Sequence, residues 1–337
     1  MPLEVIKSKY VAGKITDIEP ELDGGILSGF YACSWTDPGQ LIKFGTDLTI
    51  KKSVTIGKKP FDLEVHGDKI LLACWDKLYV VDSESFSVLN SVTPPTPSGT
   101  SSKWALGVKS LGNGKFFVTY GYSGNYGYKT GFFVYTLQGD ELSLDKEKYI
   151  NERTASNGNR VYNGYIYCAG KGVVRKLDFS LNIVKEVHVG DGWLSDDISV
   201  SNGKIYVFDI EYDKMIVLDE NLNVLKSEKI YERTYSTGTP LEGYGNHEID
   251  SHVIVSTPDD EVVIIDTSDD SVVERIKISG LYRADEVICY GDKVLLANWD
   301  GTFFYCKFTK PIPAVLNISS TPSGAKVYVD GVYKGVT

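Results

Sequence analysis

Along most of the chain, short apolar runs alternate with Gly, Asp and Asn, and no segment holds a helical period over ten or more residues. The runs share one register: a small polar turn, a buried run, a short loop, a second run, another turn and a third run. The clearest copy begins His66-Gly-Asp-Lys-Ile-Leu-Leu-Ala-Cys-Trp-Asp-Lys-Leu-Tyr-Val-Val-Asp-Ser and ends Ser87-Val-Leu-Asn-Ser-Val. Its nearest relative begins Tyr290-Gly-Asp-Lys-Val-Leu-Leu-Ala-Asn-Trp-Asp-Gly-Thr-Phe-Phe-Tyr, and others begin near Gly24, Gly112, Asn163, Asn202 and Asp250. Successive starts at 24, 67, 112, 163, 202, 250 and 290 are 43, 45, 51, 39, 48 and 40 residues apart. That spacing fits the roughly 40–50-residue period of four-stranded propeller blades.

Each unit reads as strands a, b, c and d joined by tight turns, such as Gly67-Asp68 between a and b. The pattern predicts an all-β, seven-bladed β-propeller over residues 1–310. The seventh unit stops after strand c (302–308), at Lys310-Pro311-Ile312-Pro313, leaving no strand d. The N-terminal stretch Leu3-Glu-Val-Ile-Lys-Ser-Lys-Tyr-Val resembles strand d of the first unit, Leu48-Thr-Ile-Lys-Lys-Ser-Val-Thr-Ile. Residues 3–11 are therefore expected to complete the seventh blade as its outer strand, which protects unpaired edges. Residues 311–313 read as a proline linker and 314–337 as a separate short β segment.

Two family resemblances follow from particular residues. Val263-Ile-Ile-Asp-Thr-Ser-Asp-Asp-Ser-Val-Val-Glu-Arg-Ile-Lys-Ile, with Leu296-Ala297-Asn298, resembles the repeat of YVTN-type surface-layer propellers, which implies the fold but no reaction. Trp75-Asp76 and Trp299-Asp300 end strand b and lack an upstream Gly-His, so they are not WD40 signatures. At the C-terminus, Leu316-Asn-Ile-Ser-Ser-Thr-Pro-Ser-Gly-Ala-Lys-Val-Tyr-Val-Asp-Gly-Val-Tyr-Lys-Gly-Val-Thr resembles the opening of a PEGA domain. It carries the Ser/Thr-Pro-x-Gly-Ala, Val-Tyr-Val-Asp-Gly and Gly-x-Thr hallmarks, and the resemblance implies association with a cell envelope or surface layer. The chain stops where that family continues, so the expectation is either a further segment beyond Thr337 or a degenerate domain.

Charge and composition narrow the partners. The 337 residues carry 45 acidic and 35 basic side chains, a net charge of −10. Nucleic acid and anionic membranes both select a cationic footprint, which this balance lacks. No apolar run approaches the ~20 residues that span a bilayer, and the N-terminus has no secretory apolar core. Five dispersed cysteines, Cys33, Cys74, Cys168, Cys289 and Cys306, form no CxxC. They read as buried small hydrophobes that suit a reducing interior, whereas the PEGA resemblance points to an envelope.

Propellers bind at the end where the b–c and d–a loops meet the central channel; this fold-level knowledge gives a place, not a function. Trp35, Trp75 and Trp299 end strand b in adjacent units, and Trp104 and Trp193 are expected in d–a connections. Tyr122, Tyr126, Arg233, Tyr235 and Tyr244 belong to the long loops of the same end. These residues serve equally as a seal over the core or as a platform for protein or glycan. Strand a lines the channel, where Asp62, Asp197 and Glu286 stand in equivalent register. Carboxylates there serve a solvated rim, a cationic ligand or Ca²⁺, but no EF-hand spacing is present and no metal or cofactor site is assigned. Catalysis has one weak candidate pair, His247 and Glu248, and no GxSxG, HExxH or phosphate loop.

The sequence thus predicts a non-enzymatic binding or scaffold propeller for protein or glycan, linked to an envelope or surface assembly. Two alternatives stay open. One is a lyase or hydrolase with an acidic, Ca²⁺-holding channel; the other is a structural subunit of a surface layer or virion that self-assembles through regions beyond the chain end.

Overall fold

The structure, a computed structural model, describes residues 3–11, 13–124, 127–151, 158–194, 197–231, 245–257, 260–281, 284–298, 300–310, 326–329 and 332–336. Among these residues the regular elements are all β-strands. Seven four-stranded antiparallel sheets form the blades of a propeller. Blades 1 to 6 run Ile15–Thr55, Pro60–Val92, Thr100–Ile150, Asn159–Trp193, Ser199–Lys229 and Asn246–Lys277. Blade 7 takes strands a, b and c from Ala284–Phe308 and its outer strand from Leu3–Tyr10. That outer strand pairs from Leu3 against Phe308 to Tyr10 against Thr302, with Leu3 fully buried.

Turn chemistry explains the repeat. In every blade the a–b turn opens with a left-handed residue: Gly24, Gly67, Asn113, Asn163, Asn202, Asp250 and Gly291, with φ between 47° and 62°. Only Gly, Asn and Asp appear there, the residues that tolerate this conformation at least cost. The c–d turns use a different device. Leu48, Phe86, Leu181 and Leu222 also have positive φ, from 57° to 64°, yet each is almost wholly buried. The left-handed backbone costs about 1–2 kcal/mol, which burial of a large apolar side chain, about 1.5–3 kcal/mol, offsets. Asp82, Asp178 and Asp219 hold three of these turns by accepting backbone N–H groups two to four residues on.

The core is a ring of apolar layers, one between each pair of neighbouring blades. Strand b reads as a continuous apolar run, as in Ile70–Cys74, because both its faces meet a neighbouring blade. Strand d lies outside and alternates, as in Ile183–Trp193. All five cysteines are buried and reduced.

Two positions differ from expectation. Trp104 lies inside strand a of blade 3, paired with Gly121, and Trp193 ends strand d of blade 4, paired with Lys171; neither is in a loop. The reason in blade 3 is that Thr100–Ala105 continues the ladder against Tyr120–Gly124, which shortens the preceding Pro-rich connection. A side chain at Gly121 would meet the Trp104 ring at 2.3 Å, so glycine there makes room for it. His252 opens strand b of blade 6 and is buried against Phe308.

The chain divides into two compact units. The smaller contains a two-stranded hairpin, Lys326–Val329 against Val332–Val336.

Candidate functional site

Strand a of each blade borders the central channel. In blades 1, 2, 3 and 7 its register slips by one residue at the same point, between Ile15 and Asp17, Pro60 and Asp62, Ala105 and Gly107, and Ala284 and Glu286. Such bulges re-aim side chains. Here they set Asp17, Asp62 and Glu286 at one level on consecutive blades 1, 2 and 7. Asp17 Oδ2 accepts the Leu63 N–H at 2.7 Å, and Asp62 Oδ2 accepts the Val108 N–H at 2.7 Å. Each carboxylate thus clamps the next blade's inner strand. Blade 3 has Gly107 at this level because a Cβ would meet Asn159 Nδ2 at 2.5 Å and Asp62 Oδ2 at 3.1 Å.

Two cations answer the acids. Lys109 Nζ donates to Asp62 Oδ1 at 3.2 Å and lies 3.8 Å from Glu19 Oε1. Burial alone would lower its pKa, but Asp62, Asp17, Glu19 and Glu64 outweigh that and hold it well above the usual lysine value. Arg160 pairs with Glu248 Oε1, and Glu248 Oε2 is buried with no partner among the described residues.

The inner strands enclose a cavity of about 140 Å³, bordered by Asp17, Glu19, Lys109, Arg160, Asp197, His247 and Glu286. Burial, then repulsion from Asp62, pushes Asp17 well up. Burial, then repulsion from Asp197, Asp17 and Asp62, does the same to Glu286. Glu64, at the next level of blade 2, is raised to about 8 by burial and the nearby Glu19 charge. His247 is pushed down to about 3 by burial, with Arg160 and Lys109 adding to it. Its Nδ1 lies 2.8 Å from the Glu248 carbonyl, which can only accept, so Nδ1 carries the proton and Nε2 is left as an acceptor. Asp197, just ahead of strand a in blade 5, has the Asn246 side-chain amide donating to its carbonyl at 3.1 Å. Among the described residues, no three His, Cys, Asp or Glu side chains group closely enough to hold a metal ion.

The strand-b ends carry a second arrangement. Trp35 and Trp75 meet edge to face at 6.0 Å, and Lys59 Nζ sits 4.6 Å and 4.1 Å from their ring centres. Lys14 approaches Trp35 at 5.1 Å. Asp76 orders the rim, accepting the Lys58 N–H at 3.0 Å and the Tyr79 hydroxyl at 2.6 Å. Tyr122 does not join this surface: it is fully buried and donates to the Pro95 carbonyl. Trp104 is half-buried beside Tyr128, and Trp193 lies near Lys171 Nζ. Trp299, Tyr126, Arg233, Tyr235 and Tyr244 lie outside the described residues.

The structure adds Asp17, Lys109 and Arg160 to the channel residues singled out from sequence. Asp17 was within reach: Ile15-Thr-Asp-Ile matches Pro60-Phe-Asp-Leu and Ala284-Asp-Glu-Val. Lys109 and Arg160 had no such signal, because each stands where other blades carry different residues.

No protein-family model matches the chain, so the YVTN-type and PEGA resemblances rest on the quoted residues alone. No curated protein matches it either. Among solved structures, the chain is similar to BamB from Moraxella catarrhalis at a TM-score of 0.62 and 12% identity, over 93% of this chain and 99% of that one. At that identity the likeness shows the fold alone: the chain is a seven-bladed β-propeller.

Proposed function

We propose that this is a non-enzymatic binding or scaffold propeller whose working surface is the end formed by the b–c and d–a loops. The observation that carries the reading is the partly buried Trp35–Trp75 pair with Lys59 and Lys14 against it. Aromatic side chains bring contact area at low entropy cost and are enriched where partners bind. Local lysines on an otherwise acidic chain favour a partner that presents carboxylates, either an acidic protein surface or an acidic glycan. The similarity to BamB is compatible with a scaffold role. The segment 314–337, which resembles the start of a PEGA domain, is the proposed link to an envelope or surface assembly.

The catalytic alternative gains little from the channel. An imidazole that protonates only near pH 3 is a weak base at neutral pH. Glu248 is engaged with Arg160, which leaves no acid–base pair with His247.

The test uses the full chain and its Trp35→Ala/Trp75→Ala double variant. Each is applied to a glycan array and to affinity capture with crosslinking, with near-UV circular dichroism to verify folding. Partners of the natural chain should bind the folded variant at least tenfold more weakly. Equal binding of every protein and glycan would remove this surface from consideration.

A further inference from the structure

Glu286 stands apart from the other channel acids. Asp17 and Asp62 each take a backbone N–H from the next blade, Asp62 and Glu19 share Lys109, and Glu248 takes Arg160. Glu286 is 6% exposed, borders the cavity, and has no hydrogen-bond or ion-pair partner among the described residues. A carboxyl taken out of water without a partner carries a large desolvation penalty. Among the described residues, nothing in its own blade or the two beside it offsets that.

The groups around Glu286 define what would. Blades 5, 6 and 7 bring Asp197, His247 and Glu286 to one cavity. His247 spends its one ring proton on the Glu248 carbonyl, so its Nε2 is an acceptor. The sector therefore offers acceptors and negative charge, the complement of a cation with several N–H donors. A bare metal ion fits poorly, since no three such side chains group at metal-holding distance among the described residues. The cavity of about 140 Å³ exceeds what one water or ion needs, being roughly five times a water's share of liquid volume. Lys109 and Arg160 also border it, but each is already engaged by carboxylates.

We propose that the channel cavity binds a small organic cation with a primary ammonium group, Glu286 acting as its counter-ion and His247 Nε2 as a second acceptor. A compact ammonium has three N–H donors, so Glu286 of blade 7 and His247 Nε2 of blade 6 can each take one and leave the third to water in the cavity. The site is separate from the Trp35–Trp75 surface and stands or falls independently of it.

A second consequence follows. Glu286 resists ionisation when the cavity holds no cation, because burial and neighbouring acids disfavour its charge. An ammonium ion reverses that balance, so binding expels protons from the site.

The experiment titrates the full chain with n-butylammonium chloride, using sodium chloride at equal ionic strength and 1-butanol as controls. Readouts are the melting temperature and calorimetry in two buffers of different ionisation enthalpy. The expected result is a saturable rise in melting temperature with n-butylammonium only, together with proton release. Glu286→Gln should weaken the affinity at least about tenfold, as expected for losing a hydrogen bond to a charged group. A parallel titration with N-acetyl-lysine methylamide separates the sources: binding comparable to or tighter than n-butylammonium identifies a partner's lysine as an occupant. Tighter binding of n-butylammonium identifies a free amine. No saturable effect of either amine, equal effects of 1-butanol, absence of proton release, or unchanged affinity in Glu286→Gln would each overturn the proposal.

Discussion

Blades 1 and 2 use one ring position of the channel in one way and blade 7 uses it in another. In blades 1 to 3, Asp17 and Asp62 sit behind matching bulges and clamp the neighbouring strands through Leu63 and Val108, and Asp62 shares Lys109 with Glu19. In blade 7, Glu286 sits behind the same bulge and reaches no partner among the described residues. One ring position is thus a structural clamp on one side and an open acceptor on the other. An acidic residue in a propeller channel therefore says little until its donors are counted.

The largest effect should come from breaking the clamp. Asn in place of Asp62 has one carbonyl oxygen to serve both the Val108 N–H and Lys109, and it turns an NH₂ towards donors. Removing one partner of a buried charge pair costs about 3–5 kcal/mol, and Lys109 is left with only the longer contact to Glu19 at 3.8 Å. Equilibrium denaturation of Asp62→Asn should show a loss of that order with an unchanged denaturant slope. A loss below about 1 kcal/mol, the range of exposed ion pairs, would mean the clamp adds no more than a surface pair.

This contrast also marks how far the sequence could be read. The seven units, their turn residues and the missing outer strand are written in local chemistry: Gly, Asn or Asp at each a–b turn, and apolar runs in strand b. The acidic level was half legible, since Asp62 and Glu286 align without knowledge of the fold. What stayed hidden depends on contacts between blades 46 residues apart, such as Asp17 with Leu63 and Asp62 with Val108. Trp104 was misplaced for a related reason: the glycine that accommodates it, Gly121, lies on the neighbouring strand. No short-range pattern marks either one.

A smaller effect should appear in the pH dependence of the clamped sector. Glu64 is raised to about 8 from an ordinary value of 4.5. Between those values the folded chain holds a proton that the unfolded chain has released, so stability falls as pH rises through that window. Below 4.5 both states are protonated, and above 8 both are ionised, so Glu64 adds no slope outside it. Glu64→Gln should flatten this part of the stability profile, with its gain over the natural chain largest at pH 8 and above. Melting temperatures at pH 5 and 8.5 suffice, and parallel profiles for the two chains would show that Glu64 is ionised in the clamped sector.

The smallest expected change carries the sharpest sign. Glu286→Gln has nearly the same shape as the natural residue and breaks no hydrogen bond or ion pair seen among the described residues. What it removes is a charge held back by burial and by Asp197, Asp17 and Asp62. Because the folded pKa is raised, the natural chain loses stability as pH rises above the unfolded value of 4.5. The amide is immune to that loss. Without any cation added, Glu286→Gln should therefore match the natural chain at pH 4 and become progressively more stable above it. Asp62→Asn, the same chemical change two blades away, should be destabilising at neutral pH. If both amides destabilise at pH 8, Glu286 also holds the fold together, and the channel has one function around its ring, not two.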